Sequence, residues 1–356
     1  MKILFLTDNL NYTSGVTSHL LNLTEGLGRE KEMHLNILCG EANGISLFKN
    51  INVNINVNKN FLHDKRSYLN YSKALAYLVR FVKQNEIDII HSHSHYAANL
   101  AYHASKHCRV KTIQTNHGIL KTKGKLEHFK SSKLIAINEH IYEYMLNKKI
   151  LPSKDIYFIR CGIHVPALPP KKSPIKIKVL AASRFVIEKS LDTFIKAVNS
   201  LPDNDRMKAE FCIAGEGELE NKLKSLNEKL GAGINFLGRV VDMPSLLRSA
   251  HIFVFTSTAE TEGFPQAITE AAAYNNLIIS SDAVGIESVL TRDIDSLIFK
   301  KGDEYDLMIK IKLAIDGYRT FQKMAEHLYY KIKELFGFNT MIQKHLELYN
   351  QCLREQ

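Results

Sequence analysis

The sequence predicts an α/β protein made of two parallel-sheet domains. Short apolar runs alternate with helical stretches through the first half, and the same period restarts in the second half after a proline-rich break. Runs that are apolar throughout fit strands buried on both faces, which is how parallel strands sit under crossover helices. At 356 residues the chain is also too long for one ordinary core.

In the first half, strands are predicted at 2–7, 35–39, 87–91, 110–115, 133–137 and 155–159, and helices near 17–29, 67–85, 96–107 and 139–149. Ile51 to Val57 alternates apolar residues with asparagine, the pattern of a half-exposed edge strand. Met1 to Asp8 reads as the first strand, because it lacks the apolar core and cleavage site of a secretion signal. Pro166, Pro169, Pro170 and Pro174, with Lys171 and Lys172 among them, mark the linker. Strands follow at 176–182, 208–214, 234–237, 252–256, 277–280 and 296–299, then amphipathic helices over about 305–335 and from Asn339 to Leu353.

With 45% hydrophobic and 24% charged residues, the composition is that of a soluble globular protein, and no run is long enough to span a bilayer. The five cysteines are scattered singly, as reduced thiols in a cytosol are. The net charge of +10 invites an anionic partner. No nucleic-acid-binding motif accompanies the lysines, so nucleic acid is excluded as the expected partner. The denser patches at Lys121–Lys125, Lys130–Lys133, Lys148–Lys149 and Lys171–Lys172 suit either a solvated surface or peripheral contact with anionic lipid.

Chemistry is concentrated around Glu262-Gly263-Phe264-Pro265-Gln266-Ala267-Ile268-Thr269-Glu270, which follows the apolar run Ile252–Phe255. Pro265 suits the first position of a helix, where its missing N–H is no loss. A helix N-terminus beside a glycine suits a phosphate, whereas two carboxylates accept hydrogen bonds from hydroxyl pairs. The combination suggests a ligand with phosphate, ribose and sugar. Taken alone, the spacing fits a loop glutamate and a helix-surface glutamate equally well.

The surrounding motifs decide between these readings. Ser14-Gly15, Asn116-His117-Gly118, Ser183-Arg184 with Lys189, Gly215-Glu216-Gly217, Phe236-Leu237-Gly238-Arg239 and Gly285-Ile286-Glu287 occur in order along the chain. Together with E-x7-E they resemble glycosyltransferase family 4, retaining enzymes of the GT-B architecture. The resemblance implies two Rossmann-like domains facing each other across a cleft. Residues 1–167 would bind the acceptor and 168–337 the nucleotide sugar, with 338–356 crossing back to the first domain.

It also implies roles. Glu270 would hold the ribose and Glu262 the donor sugar, with Gly263, Phe264 and Pro265 beside them. Arg184 and Lys189 would stabilise the departing diphosphate, His117 would orient the sugar, and Gly15 would let backbone approach the diphosphate. Gly215, Gly217 and Arg239 would lie near the nucleobase. Three positions depart from the family pattern: Ser14 replaces the first glycine of a pair, Ser190 replaces the glycine after Lys189, and Val284 with a missing proline alters the turn before Glu287.

His91, His93 and His95 alternate as they would along one strand face, at a spacing open to a metal. No cysteine or carboxylate is placed to complete such a site, and relatives commonly carry histidine at the first two positions. His91 and His93 are therefore assigned to the acceptor side, with no metal expected. Asp203-Asn204-Asp205 and Asp293-Ile294-Asp295 follow no apolar strand and read as turn carboxylates.

The resulting expectation is a cytoplasmic, metal-independent, retaining glycosyltransferase with no cofactor. It would move sugar from a nucleotide-diphosphate sugar, UDP favoured over GDP, to a glycan or lipid-linked acceptor in cell-surface polysaccharide or glycolipid synthesis. The rival readings are a GT-B nucleotide-sugar epimerase and a non-catalytic GT-B subunit.

Overall fold

The computed structural model describes residues 1–12, 14–65, 67–118, 131–170, 176–259 and 265–355. The chain divides into two compact units, Met1–Gly162 with Phe336–Gln356, and Ile163–Leu335.

The first unit runs β1 (Lys2–Leu6), α1 (Gly15–Leu27), β2 (His34–Cys39), β3 (Asn54–Val57), α2 (Tyr68–Asn85), β4 (Ile89–Ser92), α3 (His95–Ser105), β5 (Lys111–Asn116), β6 (Lys133–Ala136), α4 (Glu139–Asn147) and β7 (Ile156–Phe158). Its described strands form a seven-stranded sheet in the order β3-β2-β1-β4-β5-β6-β7, every pairing parallel. Alternate strand residues feed two cores. Ile3, Phe5, Ile37, Ile89, Ile113 and Ile135 pack on one face, and Leu4, Leu6, Leu38 and Ile90 on the other. This is why the strands read as unbroken apolar runs, whereas β3, at the edge, alternates.

The second unit runs β8 (Ile177–Ala182), α5 (Leu191–Asn199), α6 (Asp203–Met207), β9 (Ala209–Ala214), α7 (Glu220–Leu230), β10 (Asn235–Phe236), α8 (Met243–Ser249), β11 (Ile252–Phe255), α9 (Gln266–Ala273), β12 (Leu277–Ser281), β13 (Leu297–Phe299), α10 (Glu304–Asp316) and α11 (Tyr318–Leu335). Its sheet is six-stranded and parallel, in the order β10-β9-β8-β11-β12-β13. Val179, Ala181, Phe211, Ile213, Val254 and Ile279 from the strands meet Phe194, Ile195 and Leu307 from the helices in one core.

The last helix, α12 (Phe338–Arg354), belongs to the first unit and packs on α1. Its buried stripe is Phe338, Met341, Ile342, His345, Leu348, Tyr349 and Cys352, the three-four spacing of one helix face. Glycines let it approach. A Cβ on Gly26 of α1 would lie 2.3 Å from Ile342 Cδ1, and one on Gly162 would lie 2.7 Å from Met341 Cβ. Beyond its C-terminus, Glu355 meets Lys133 Nζ at 2.9 Å, and Lys133 also holds Asp155 at 2.7 Å.

Three local expectations change. β4 closes at Ser92, so His91, His93 and His95 do not line one strand face. Ser94 caps α3, its Oγ accepting from Ala97 N at 3.0 Å, which places His93 in the turn and makes His95 the first helical residue. Asp203 and Asp205 fall in the first turn of α6, and the Asp205 carboxylate takes Lys208 at 2.7 Å and Lys312 at 2.6 Å. Pro265 is the residue before α9 rather than its first, and its carbonyl accepts from Thr269 N at 3.2 Å. The second acidic triplet does form a turn: Asp295 accepts from Thr291 N at 2.7 Å and Asp293 has φ of 60°.

Ser190, between Lys189 and α5, has φ 46° and ψ 43°. That is the left-handed conformation a glycine takes without strain, so the backbone keeps the glycine shape with a serine in it. Ser190→Gly raises stability by about 0.5–1 kcal/mol, seen as a higher urea midpoint at unchanged slope. Gly26→Ala lowers stability by about 1–3 kcal/mol despite alanine's better helix propensity. Adding Ile342→Ala makes the double variant less damaged than the sum of the singles, because the clash is with that side chain.

Candidate functional site

In a parallel sheet, ligand chemistry gathers at the carboxyl ends of the strands, where the strand order reverses direction. In the second unit that reversal lies between β8 and β11, since the chain builds outward from β8 to β10 and then returns to β11. Arg184 and Lys189 follow β8, Gly215 and Gly217 follow β9, Arg239 follows β10, and Glu270 lies on α9 after β11. Glu262, Gly263 and Phe264 lie outside the described residues.

The loops on either side of the reversal are tied together. Thr256 Oγ1 donates to Lys189 O at 2.6 Å, and Thr258 N donates to Glu188 O at 2.8 Å. The Lys189 ammonium stands 5.3 Å from the centre of the Phe255 ring, while Arg184 is exposed. These bonds fix the lysine's backbone to the strand that leads into the E-x7-E segment.

Gly215 and Gly217 serve the same loop. Their φ angles are 136° and 157°, and a Cβ on Gly215 would lie 2.0 Å from Ser183 O. Phe185 N donates to Glu216 O at 2.9 Å and Leu219 N to Phe185 O at 3.0 Å, so the glycine loop is laid directly against the backbone that carries Arg184. Gly215 N reaches Gly238 O at 2.8 Å, which ties in the loop bearing the exposed Arg239. After β12, Glu287 folds back to accept from Gly285 N at 2.9 Å.

Glu270 is the electrostatic outlier. Burial pushes its carboxyl up to about 7, against the opposing pull of the Gln266 amide, which donates to Oε1 at 3.0 Å. Such a carboxyl is held partly protonated at neutral pH by its surroundings.

The carboxyl edge of the first unit holds histidines instead. Gly15 opens α1 and His117 follows β5. His91 is fully buried and spends both nitrogens, on Tyr349 Oη and Thr115 Oγ1, each at 2.7 Å. His93 Nδ1 and His117 Nε2 share a hydrogen bond of 3.1 Å. His19 of α1 packs its ring centre 5.5 Å from His93 and 5.1 Å from His117, and His345 of α12 lies 6.1 Å from His19.

Burial disfavours protonation of all five. It takes His117 and His345 down to about 4, and burial together with neighbouring imidazoles holds His19, His91 and His93 well below the usual range. The cluster is therefore neutral at neutral pH. Beside it, Asp8 is raised by burial and accepts from Ser94 Oγ at 2.6 Å. His19, His345 and Tyr349 were not among the sequence candidates. The available signal was a polar ring on an otherwise apolar helix stripe, with His19 beside Leu20 and Leu23, and His345 between Ile342 and Leu348.

Residues 13–165 match the family described as Glycosyltransferase Family 4, and residues 169–334 match Glycosyl transferases group 1. The chain is 24% identical over 79% of its length to the N,N'-diacetylbacillosaminyl-diphospho-undecaprenol alpha-1,3-N-acetylgalactosaminyltransferase of Campylobacter jejuni, covering 82% of that protein. It is 25% identical over 94% of its length to the UDP-Gal:alpha-D-GlcNAc-diphosphoundecaprenol alpha-1,3-galactosyltransferase of Escherichia coli, covering 93% of that protein. Among solved structures, Anabaena Alr3699/HepE in complex with UDP-glucose superposes with a TM-score of 0.83 at 18% identity, over 99% of this chain and 100% of that one. At that identity the likeness shows the GT-B fold. The chain belongs to glycosyltransferase family 4, and it is a glycosyltransferase.

Proposed function

We propose that this glycosyltransferase moves a sugar from a UDP-sugar to a sugar already carried on a polyprenyl diphosphate, with retention of configuration and without a metal ion. One observation carries the acceptor assignment: two bacterial relatives, similar over 79% and 94% of this chain, both act on diphosphoundecaprenol-linked sugars. The E. coli relative makes an alpha linkage from UDP-Gal. An alpha product from an alpha-configured nucleotide sugar is retention, which supports the same outcome here.

We assign a division of labour to the motif residues. Arg184 and Lys189, fixed to neighbouring loops at the strand reversal, neutralise the diphosphate as it leaves, a task otherwise given to a metal. Glu270 accepts hydrogen bonds from the ribose hydroxyls, Glu262 from the donor sugar, and His117 orients that sugar. The bond from C1 to the β-phosphate oxygen breaks while the acceptor hydroxyl adds to the same face. Its proton passes to the departing phosphate oxygen. The work takes place at a cytoplasmic membrane face, where the basic surface, including the exposed Lys148 and Lys149, meets anionic lipid. No described helix is long and apolar enough to cross a membrane.

Mass spectrometry of reactions pairing a nucleotide-sugar panel with short polyprenyl-diphosphate-linked sugars tests the assignment. The expected product is an elongated lipid with an alpha linkage by NMR, formed equally in EDTA. An isomerised nucleotide sugar formed from donor alone points instead to the epimerase. Arg184→Ala costs about 10²-fold or more in kcat, and a change within a few-fold sinks the leaving-group role.

Glu270 gives a paired prediction of opposite signs. Between pH about 4.5 and about 7 the folded chain keeps a proton that the unfolded chain has released, so stability falls as pH rises through that window. Glu270→Gln removes that loss of about 3 kcal/mol and leaves the variant more stable than wild type at pH 8 by calorimetry. The same change weakens UDP binding about tenfold or more, because a charged acceptor for the ribose is gone.

A further inference from the structure

The histidine cluster holds more ligand capacity than donor positioning uses. One ring nitrogen from each of His19, His93 and His117 lies within 4.8 Å of the others. Four buried ring nitrogens of the cluster, His19 Nδ1, His19 Nε2, His93 Nε2 and His345 Nε2, have no hydrogen-bond partner among the described residues. A histidine kept only for packing has its nitrogens satisfied, as His91 does.

We propose that His19, His93 and His117 form a binding site for a divalent transition-metal ion of the zinc class, and that occupancy inhibits transfer by taking His117 away from the donor sugar. The inhibitory half rests on the function proposed above; the binding half does not.

Tetrahedral zinc with metal–nitrogen bonds of about 2.0–2.1 Å needs ligand nitrogens about 3.3 Å apart. His93 Nδ1 and His117 Nε2 already stand at 3.1 Å. Closing the third side brings in His19, one of the three residues whose ligand atoms lie within 4.8 Å of one another, and its nitrogens break no hydrogen bond to a described residue by moving. The proton shared by His93 and His117 shifts to the other nitrogen of its own ring, leaving both facing nitrogens as ligands. Three neutral imidazoles with a fourth position left for water or an anionic oxygen make an established zinc donor set, and imidazole favours zinc, copper and nickel over magnesium. The neighbours are fixed: His91 is pinned by Tyr349 and Thr115 with its ring 4.4 Å from His93, and His345 Nδ1 donates to Met341 O at 2.8 Å.

The test is a cobalt(II) titration of the full chain after chelator treatment, followed by displacement with zinc. The expected result is one equivalent giving the intense visible bands of a tetrahedral site with no thiolate band, bleached by zinc. His19→Gln lowers cobalt affinity about 10- to 100-fold or more. His63→Gln, at a surface histidine beside Asp64, leaves the titration unchanged. Transfer activity falls in step with zinc occupancy. A weak octahedral spectrum, or a titration identical in wild type and His19→Gln, overturns the site, and the wild-type spectrum decides even where the variant does not fold. Tight binding that leaves transfer intact overturns the inhibition. A chain that binds cobalt as expected yet transfers no sugar from any donor refutes the proposed function and leaves the metal site standing.

Discussion

Every described strand pairing in both sheets is parallel, and that constraint decides where chemistry can sit. A parallel strand must be followed by a crossover, so each sheet gathers all its strand-to-helix loops on one edge, and reversal of the strand order opens a gap there between diverging loops. In the second unit the gap lies between β8 and β11, flanked by Lys189 and Thr256; in the first it lies between β1 and β4, flanked by the segment leading into α1 and by His93. The candidate residues collect at these edges because the topology provides no other common place for them.

The two edges are built by different means. In the second unit the loops are held by main chain, with glycine at two positions where backbone lies against backbone and serine forced into a glycine's conformation at a third. Geometry of that kind leaves short, regularly spaced signatures. In the first unit the cluster is held by side chains from α1, the ends of β4 and β5, and α12, a helix that begins more than 200 residues after β5 ends. No local spacing records that assembly.

This difference explains what the sequence disclosed. The core strands and the first unit's helices were legible to within a residue or two, because burial on both faces leaves unbroken apolar runs such as Ile252–Phe255, whereas the edge run 51–57 pairs only from Asn54 and α5 to α8 were not anticipated. Arg184, Lys189, Gly215 and Glu270 were legible as motifs. His19 and His345 were not, since each reads locally as one position on an apolar stripe, and only the docking of α12 against Gly26 and Gly162 brings His345 to the sheet edge. The alternation of His91, His93 and His95 misled for a related reason. Period-two spacing assumes the strand continues, and the Ser94 cap ends it.

Glu270 and the histidines show one electrostatic logic applied with opposite signs. Burial raises the carboxyl and lowers the imidazoles, so both move towards their neutral forms near pH 7. A carboxylate in the protein interior is normally paired with a cation, as Asp205 is with Lys208 and Lys312. Glu270 has only the Gln266 amide among its described partners, an arrangement that folding alone would not favour. In the proposed function, two hydroxyls of a bound ribose would supply the missing donors and favour the charged form, so binding would recover free energy that the empty fold gives up. On that proposal the cost of burying the carboxyl would be turned into affinity for a diol, at the same sheet edge as Arg184 and Lys189, the cations proposed for the diphosphate.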